Sequence, residues 1–104
     1  METIKFSYNW NKKLGCLAFT TWRLHNERKY VVGKMYQIEC KGVETFTAEC
    51  VDIKHLMLSQ VNEFIARVDT GYSVGEFKNI IYRIYKDKAD TGVFDFILLI
   101  RRKT

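Results

Sequence analysis

The chain has 104 residues, 47% of them apolar, with seven Phe, six Tyr, two Trp, no proline and a net charge of +5. That is one domain's worth of chain, here residues 1–104, with enough apolar mass to fill a single core, which excludes disorder, fibrous architecture and Pro-rich linkers. No apolar run approaches the roughly 18–20 residues of a membrane helix, and Glu2 and Lys5 flank no secretory h-region, so a cytoplasmic protein with no membrane partner is expected.

Thr3 to Tyr8 alternates polar and apolar, with Ile4, Phe6 and Tyr8 on one side, and predicts a half-buried strand. Asn9 to Gly15 is polar and basic, a loop or a short helical turn. Leu17 to Leu24 is β-branched and aromatic, and its period of two puts Ala18, Thr20, Trp22 and Leu24 on one face and Phe19, Thr21, Arg23 and His25 on the other. His25 to Lys29 reads as a charged loop. Met35 to Cys40 predicts a third strand, Lys41-Gly42 a turn, and Val43 to Ile53 a long fourth strand. The alternation slips at Cys50-Val51, which predicts a bulge.

The period then changes. Val61, Phe64, Ile65 and Val68 fall on one face of a helix that Gly71 is placed to end. Ser73-Val74-Gly75-Glu76 has the spacing of a capping box and opens a second helix, with an apolar face of Val74, Phe77, Ile80, Ile81, Ile84 and Tyr85. Val93 to Ile100 closes the chain as a nearly continuous apolar strand. Four strands, two helices and a fifth strand exclude a doubly wound parallel sheet, which alternates β and α. The fold class expected is α+β: a small mixed barrel or strongly bent sheet of about five strands, with two helices between strands 4 and 5.

All the excess charge lies in residues 1–41, where eight Lys/Arg face three Glu, while residues 42–104 carry nine of each sign. A one-sided positive field attracts phosphates and other anions; the bland alternative is an ordinary solvated surface. The three cysteines, Cys16, Cys40 and Cys50, form no C-x-x-C pair. They read as reduced thiols, and pooling them with His25 and His55 gives no zinc-ligand spacing, so neither a metal nor a cofactor is expected. The two histidines read as isolated loop residues.

Thr20-Thr21-Trp22-Arg23 resembles the T-x-x-R or T-x-R strand signature of ASCH domains, members of the PUA-like barrel superfamily. Tyr30-Val31-Val32-Gly33-Lys34 is similar to the x-V-G-D turn of that family, and Thr47 to Val51 to the strand that follows. Ser73 to Tyr85 resembles the second helix and Phe94 to Ile100 the closing strand, so the likeness runs along almost the whole chain. The resemblance implies a PUA-like barrel with a cleft beside the T-x-R strand for RNA or a nucleotide base. A small bacterial branch of similar length consists of acetylcytidine amidohydrolases that use a Lys, a Thr and a Glu. Carried over, Thr21 matches the threonine, Arg23 the following arginine and Glu76 the helix glutamate. Ala18 stands at the lysine position, and Lys34 replaces the acidic residue of the turn.

Three readings follow. In the first, a binding module receives RNA or a nucleoside: Arg23, Lys12 and Lys13 hold phosphate, and Thr21 and Glu76 bond a base edge. Trp10, set among Asn9, Asn11, Lys12 and Lys13, either stacks on a base or plugs one barrel end. The second is an amidohydrolase on acylated cytidine, with Thr21 as nucleophile and Glu76 as general acid/base. A threonine hydroxyl needs a neighbouring base or cation for that role, and Lys12 or Lys13 is the candidate. Glu76 has a simpler role available as the capping-box carboxylate. The third reading is an interaction or accessory domain without a small ligand.

Overall fold

The computed structural model describes residues 1–102. Five strands form one mixed sheet: β1 (Glu2–Phe6), β2 (Ala18–Leu24), β3 (Met35–Cys40), β4 (Val43–Leu56) and β5 (Phe94–Arg102), in the order β1-β3-β4-β5-β2. β1 runs parallel to β3 and every other pair is antiparallel. A short 3₁₀ segment (Trp10–Gly15) joins β1 to β2, and another (Leu58–Gln60) follows β4. Helices α1 (Glu63–Thr70), α2 (Val74–Tyr85) and the single turn α3 (Lys88–Thr91) fill the connection from β4 to β5. No helix among the described residues is long and apolar enough to cross a membrane.

β4 is long because it serves two neighbours, pairing with β3 along its first half and with β5 from Thr47 onward. The register on β5 slips between Cys50 and Asp52, at the bulge expected from the broken alternation. A bulge bends its strand and raises the local twist, and here the sheet curls. One core fills the concave side, around Ile4, Phe19, Tyr36, Ile38, Ile97 and Leu99. A second lies between the convex side and the helices, around Trp22, Phe77, Ile81, Ala89 and Phe94. The alternation of Phe19 and Trp22 to opposite cores is the period-two pattern of β2 made physical.

The curl stops short of a closed barrel. β1 and β2 are the free edges, and among the described residues neither pairs with the other. The rings of Phe6 and Phe19 meet across the gap with centroids 6.2 Å apart. Two cations occupy the seam over Phe6: Arg23 Cζ lies 4.7 Å and Lys13 Nζ 5.5 Å from the ring centroid. The result is a five-strand curled half-barrel, open along the line where β1 and β2 would have joined.

α1 ends before Gly71 as expected, but only half of its expected face is buried. Val61, just ahead of the helix, and Ile65 pack into the second core, whereas Phe64 is 71% exposed and Val68 38%, while Ala66, Asp69 and Thr70 are buried. Asp69 turns inward because it meets Lys13 and Thr20 there, and that polar demand overrides the apolar periodicity. α2 follows its pattern more closely, burying Phe77 and Ile81 while Ile84 stays exposed. Its capping box forms: Ser73 Oγ accepts from the Glu76 N–H, and the Glu76 carboxylate accepts from the Ser73 N–H.

Candidate functional site

The open seam is where the chemistry collects, and the 3₁₀ segment sets it up. Asn11 and Lys12 both take left-handed backbone angles, φ 56° and 53°. Such angles are uncommon for residues other than glycine, and asparagine tolerates them best. The Asn9 side chain accepts from the Leu14 N–H at 3.0 Å, and Arg101 donates to the Leu14 carbonyl at 2.8 Å. The segment therefore reverses tightly and sends consecutive lysines opposite ways: Lys12 is exposed, whereas Lys13 is buried. Gly71, at φ 81°, lets the end of α1 press on this turn; a Cβ there would lie 2.9 Å from Asn11 Cγ.

Lys13 Nζ sits 2.9 Å from Asp69 Oδ1, and Thr20 donates its hydroxyl to the same oxygen at 3.0 Å. The pair is almost wholly out of solvent, at 5% and 6% side-chain exposure. Burial pushes the Lys13 ammonium below its ordinary pKa, and the Asp69 carboxylate pulls the other way. On the neighbouring position of β2, Arg23 Nε donates to Thr21 Oγ1 at 2.9 Å. Thr21 is buried and Arg23 half-buried, so the hydroxyl and the Phe6 ring together aim the guanidinium along the seam.

These groups surround one cavity of about 150 Å³. Lys5, Phe6 and Ser7 line it from β1, Thr21 to Arg23 from β2, and Trp10 and Lys13 from the turn between them. Asp69 and Thr70 contribute from α1, and Ile80, Ile81, Ile84 and Tyr85 from α2. The indole N–H of Trp22 is buried with no hydrogen-bond partner, an unmet donor on a residue that lines the cavity. At the mouth, Trp10 meets Tyr8 and Tyr72 edge-on, with centroids 4.8 and 6.0 Å apart, and both tyrosines are exposed.

Of the residues singled out in the sequence, Thr21, Arg23, Lys13 and Trp10 share this cavity, and Lys12 does not line it. Glu76 stands outside it, on an adjoining depression with Tyr72, Asn79 and Arg83 that shares Trp10 and Ile80 with the cavity. The carboxylate inside is Asp69, which sequence reading passed over. Its one local signal was its place three residues after Ala66, a small residue suited to a helix contact. Thr21 Oγ1 takes its hydrogen bond from Arg23 rather than from a lysine.

Comparison with family models, curated proteins and solved structures finds no match.

A second cluster lies on the same concave face of β2, one alternation beyond Arg23. His25 and His55, which read as isolated in the sequence, converge on Asp95 of β5. Their Nδ1 atoms lie 2.8 and 2.7 Å from Asp95 Oδ1, and the Asn26 N–H donates to Oδ2 at 3.1 Å. Strand pairing brings them together, since Asp95 stands opposite His55 on one side and Arg23 on the other. The cysteines take no part: Cys16 is exposed, Cys40 half-buried and Cys50 buried in the concave core.

Proposed function

We propose that this half-barrel is a nucleotide-binding module that takes one base of a single-stranded RNA into the seam between β1 and β2. The observation that carries the reading is the match between the cavity and its rim. A space of about 150 Å³ is the size that holds one aromatic ring, smaller than the roughly 300–1,000 Å³ of drug-sized ligand sites. It offers a base edge the Arg23 guanidinium as donor and the Asp69 carboxylate as acceptor. The exposed faces of Tyr8 and Tyr72, with Trp10 between them, suit stacking of a neighbouring base, worth about 1–3 kcal/mol per base. Lys5 lines the cavity and is exposed, and it suits phosphate. The PUA-like, ASCH-type identity suggested by Thr20 to Arg23 belongs to this reading: the cleft lies beside that strand.

The test is a fluorescence titration of the two tryptophans with a short single-stranded oligoribonucleotide. Binding should weaken steeply between about 50 and 200 mM salt; Arg23→Ala should lower affinity and relax base preference, and Lys5→Ala should flatten the salt slope by about one unit. Absence of binding at low salt, or binding indifferent to Arg23→Ala, refutes the reading.

Lys13 favours one alternative. An amine whose proton is loosened by burial shares a cavity with the Thr21 hydroxyl, the pairing that the resemblance implies for amide hydrolysis of an acylated cytidine, in which a neighbouring base activates the hydroxyl. Release of cytidine from acetylcytidine by the native protein, abolished in Thr21→Val, would move the assignment from binding to catalysis.

A further inference from the structure

The histidine cluster stands apart from the seam and has its own chemistry. Asp95 is 1% exposed, yet no lysine or arginine among the described residues forms an ion pair with it. Its partners are two imidazoles and one backbone N–H. A buried carboxylate without a fixed countercharge is costly, and such charges are normally paired or coordinate a metal. Both rings turn Nδ1 toward the same oxygen, and with 38% and 59% side-chain exposure their other edges reach solvent. Two ring nitrogens and a carboxylate oxygen thus already face one another, the donor types that zinc takes up.

We propose that His25, His55 and Asp95 form a binding site for a divalent transition-metal ion of zinc's class. The donor atoms of the three residues lie within 4.8 Å of one another. Two ligands in a tetrahedral zinc shell stand about 3.4 Å apart at Zn–N distances of about 2.0–2.1 Å. Rotation of two partly exposed rings, whose centroids are already 4.9 Å apart, closes the difference. Two neutral imidazoles and one carboxylate suit zinc, cobalt or nickel, whereas magnesium and calcium prefer all-oxygen sets. The ion also supplies the countercharge that Asp95 lacks. Three protein ligands leave further positions open toward a depression of about 460 Å³ bordered by Glu27, Tyr30 and Ile53, so water or an anionic ligand completes the shell. This site does not depend on the nucleotide reading, and either stands if the other fails.

The experiment is a cobalt(II) titration of tag-free protein followed by visible absorption, with zinc added afterwards as competitor. Cys16 is replaced by Ser throughout, because an exposed thiol binds the same ions. Visible d–d bands saturating at one ion per chain and bleached by zinc are expected. His55→Ala and Asp95→Asn should each weaken binding by about tenfold or more, with circular dichroism checking the fold; His55 is exposed enough to be removed without disturbing packing. No bands, bands accompanied by thiolate charge transfer, or bands unchanged in His55→Ala would overturn the proposal.

Discussion

Asp69→Asn tests the latch behind the seam. The substitution keeps the side chain's shape and removes its charge, leaving the Lys13 ammonium buried at 5% exposure without a counterion. Breaking a buried ion pair by removing one partner costs about 3–5 kcal/mol. The whole stability of such a domain is about 5–15 kcal/mol, and at about 4–8 °C per kcal/mol the melting midpoint should fall by on the order of 12–40 °C. Urea denaturation followed by circular dichroism measures the loss directly. The pH dependence gives a second readout with a definite sign. Burial lowers the Lys13 pKa, and the substitution removes the carboxylate that opposed it. Between that lowered value and the ordinary 10.5, the unfolded chain holds a proton that the folded chain has dropped. Stability therefore rises with pH across this window, and the deficit of the variant should shrink as pH rises toward 10.5. Above 10.0 the measurement is confounded, because Tyr30 and Tyr36 have pKa values raised by burial and favour unfolding there. The double variant Lys13→Met/Asp69→Leu should lose clearly less than the sum of its single changes. A loss below about 1 kcal/mol for Asp69→Asn, or additivity within about 0.5 kcal/mol in the cycle, would refute the latch.

Gly71→Ala forces a Cβ to within 2.9 Å of Asn11 and holds alanine at φ 81°, so it should destabilise by about 1–3 kcal/mol and loosen the turn that carries Lys13, seen as faster amide exchange there. Ser73→Ala removes the hydroxyl that caps α2 and should cost about 1 kcal/mol while leaving oligonucleotide affinity unchanged, since that cap lies outside the cavity. Glu63 accepts from the Val74 N–H and from Arg67, which hold its carboxyl below the ordinary 4.5. Its contribution is present above that value and lost as pH falls through the lowered one, so Glu63→Gln should flatten the acid limb of the melting curve. Trp10→Ala should weaken oligonucleotide binding by about 1–3 kcal/mol without shifting the cobalt titration.

Much of the architecture is local and was therefore written in order along the chain. The strand period of β2 separated Phe19 and Thr21 from Trp22, the broken alternation at Cys50-Val51 marked the bulge, and Ser73 with Glu76 marked the start of α2. Each depends on residues within a few positions of one another, where backbone geometry alone decides which face a side chain takes. The face of α1 was only half legible, at Val61 and Ile65, for the opposite reason. Phe64 and Val68 carry the stronger apolar signal, but what rotates the helix is a carboxylate whose partners are 56 and 49 residues away.

The sequence by itself thus determined the elements, their order, the basic bias of the first 41 residues and the adjacency of Thr21 to Arg23 on one strand face. Tertiary structure alone decided that Lys13 rather than Lys12 turns inward, that Asp69 rather than Glu76 is the carboxylate in the cavity, and that two separate histidines meet on Asp95. Periodicity assigns a side chain to a face but cannot name what stands opposite. The Asp95 cluster joins partners 40 and 70 residues apart, and only the curl of the sheet brings such distances down to the length of a hydrogen bond.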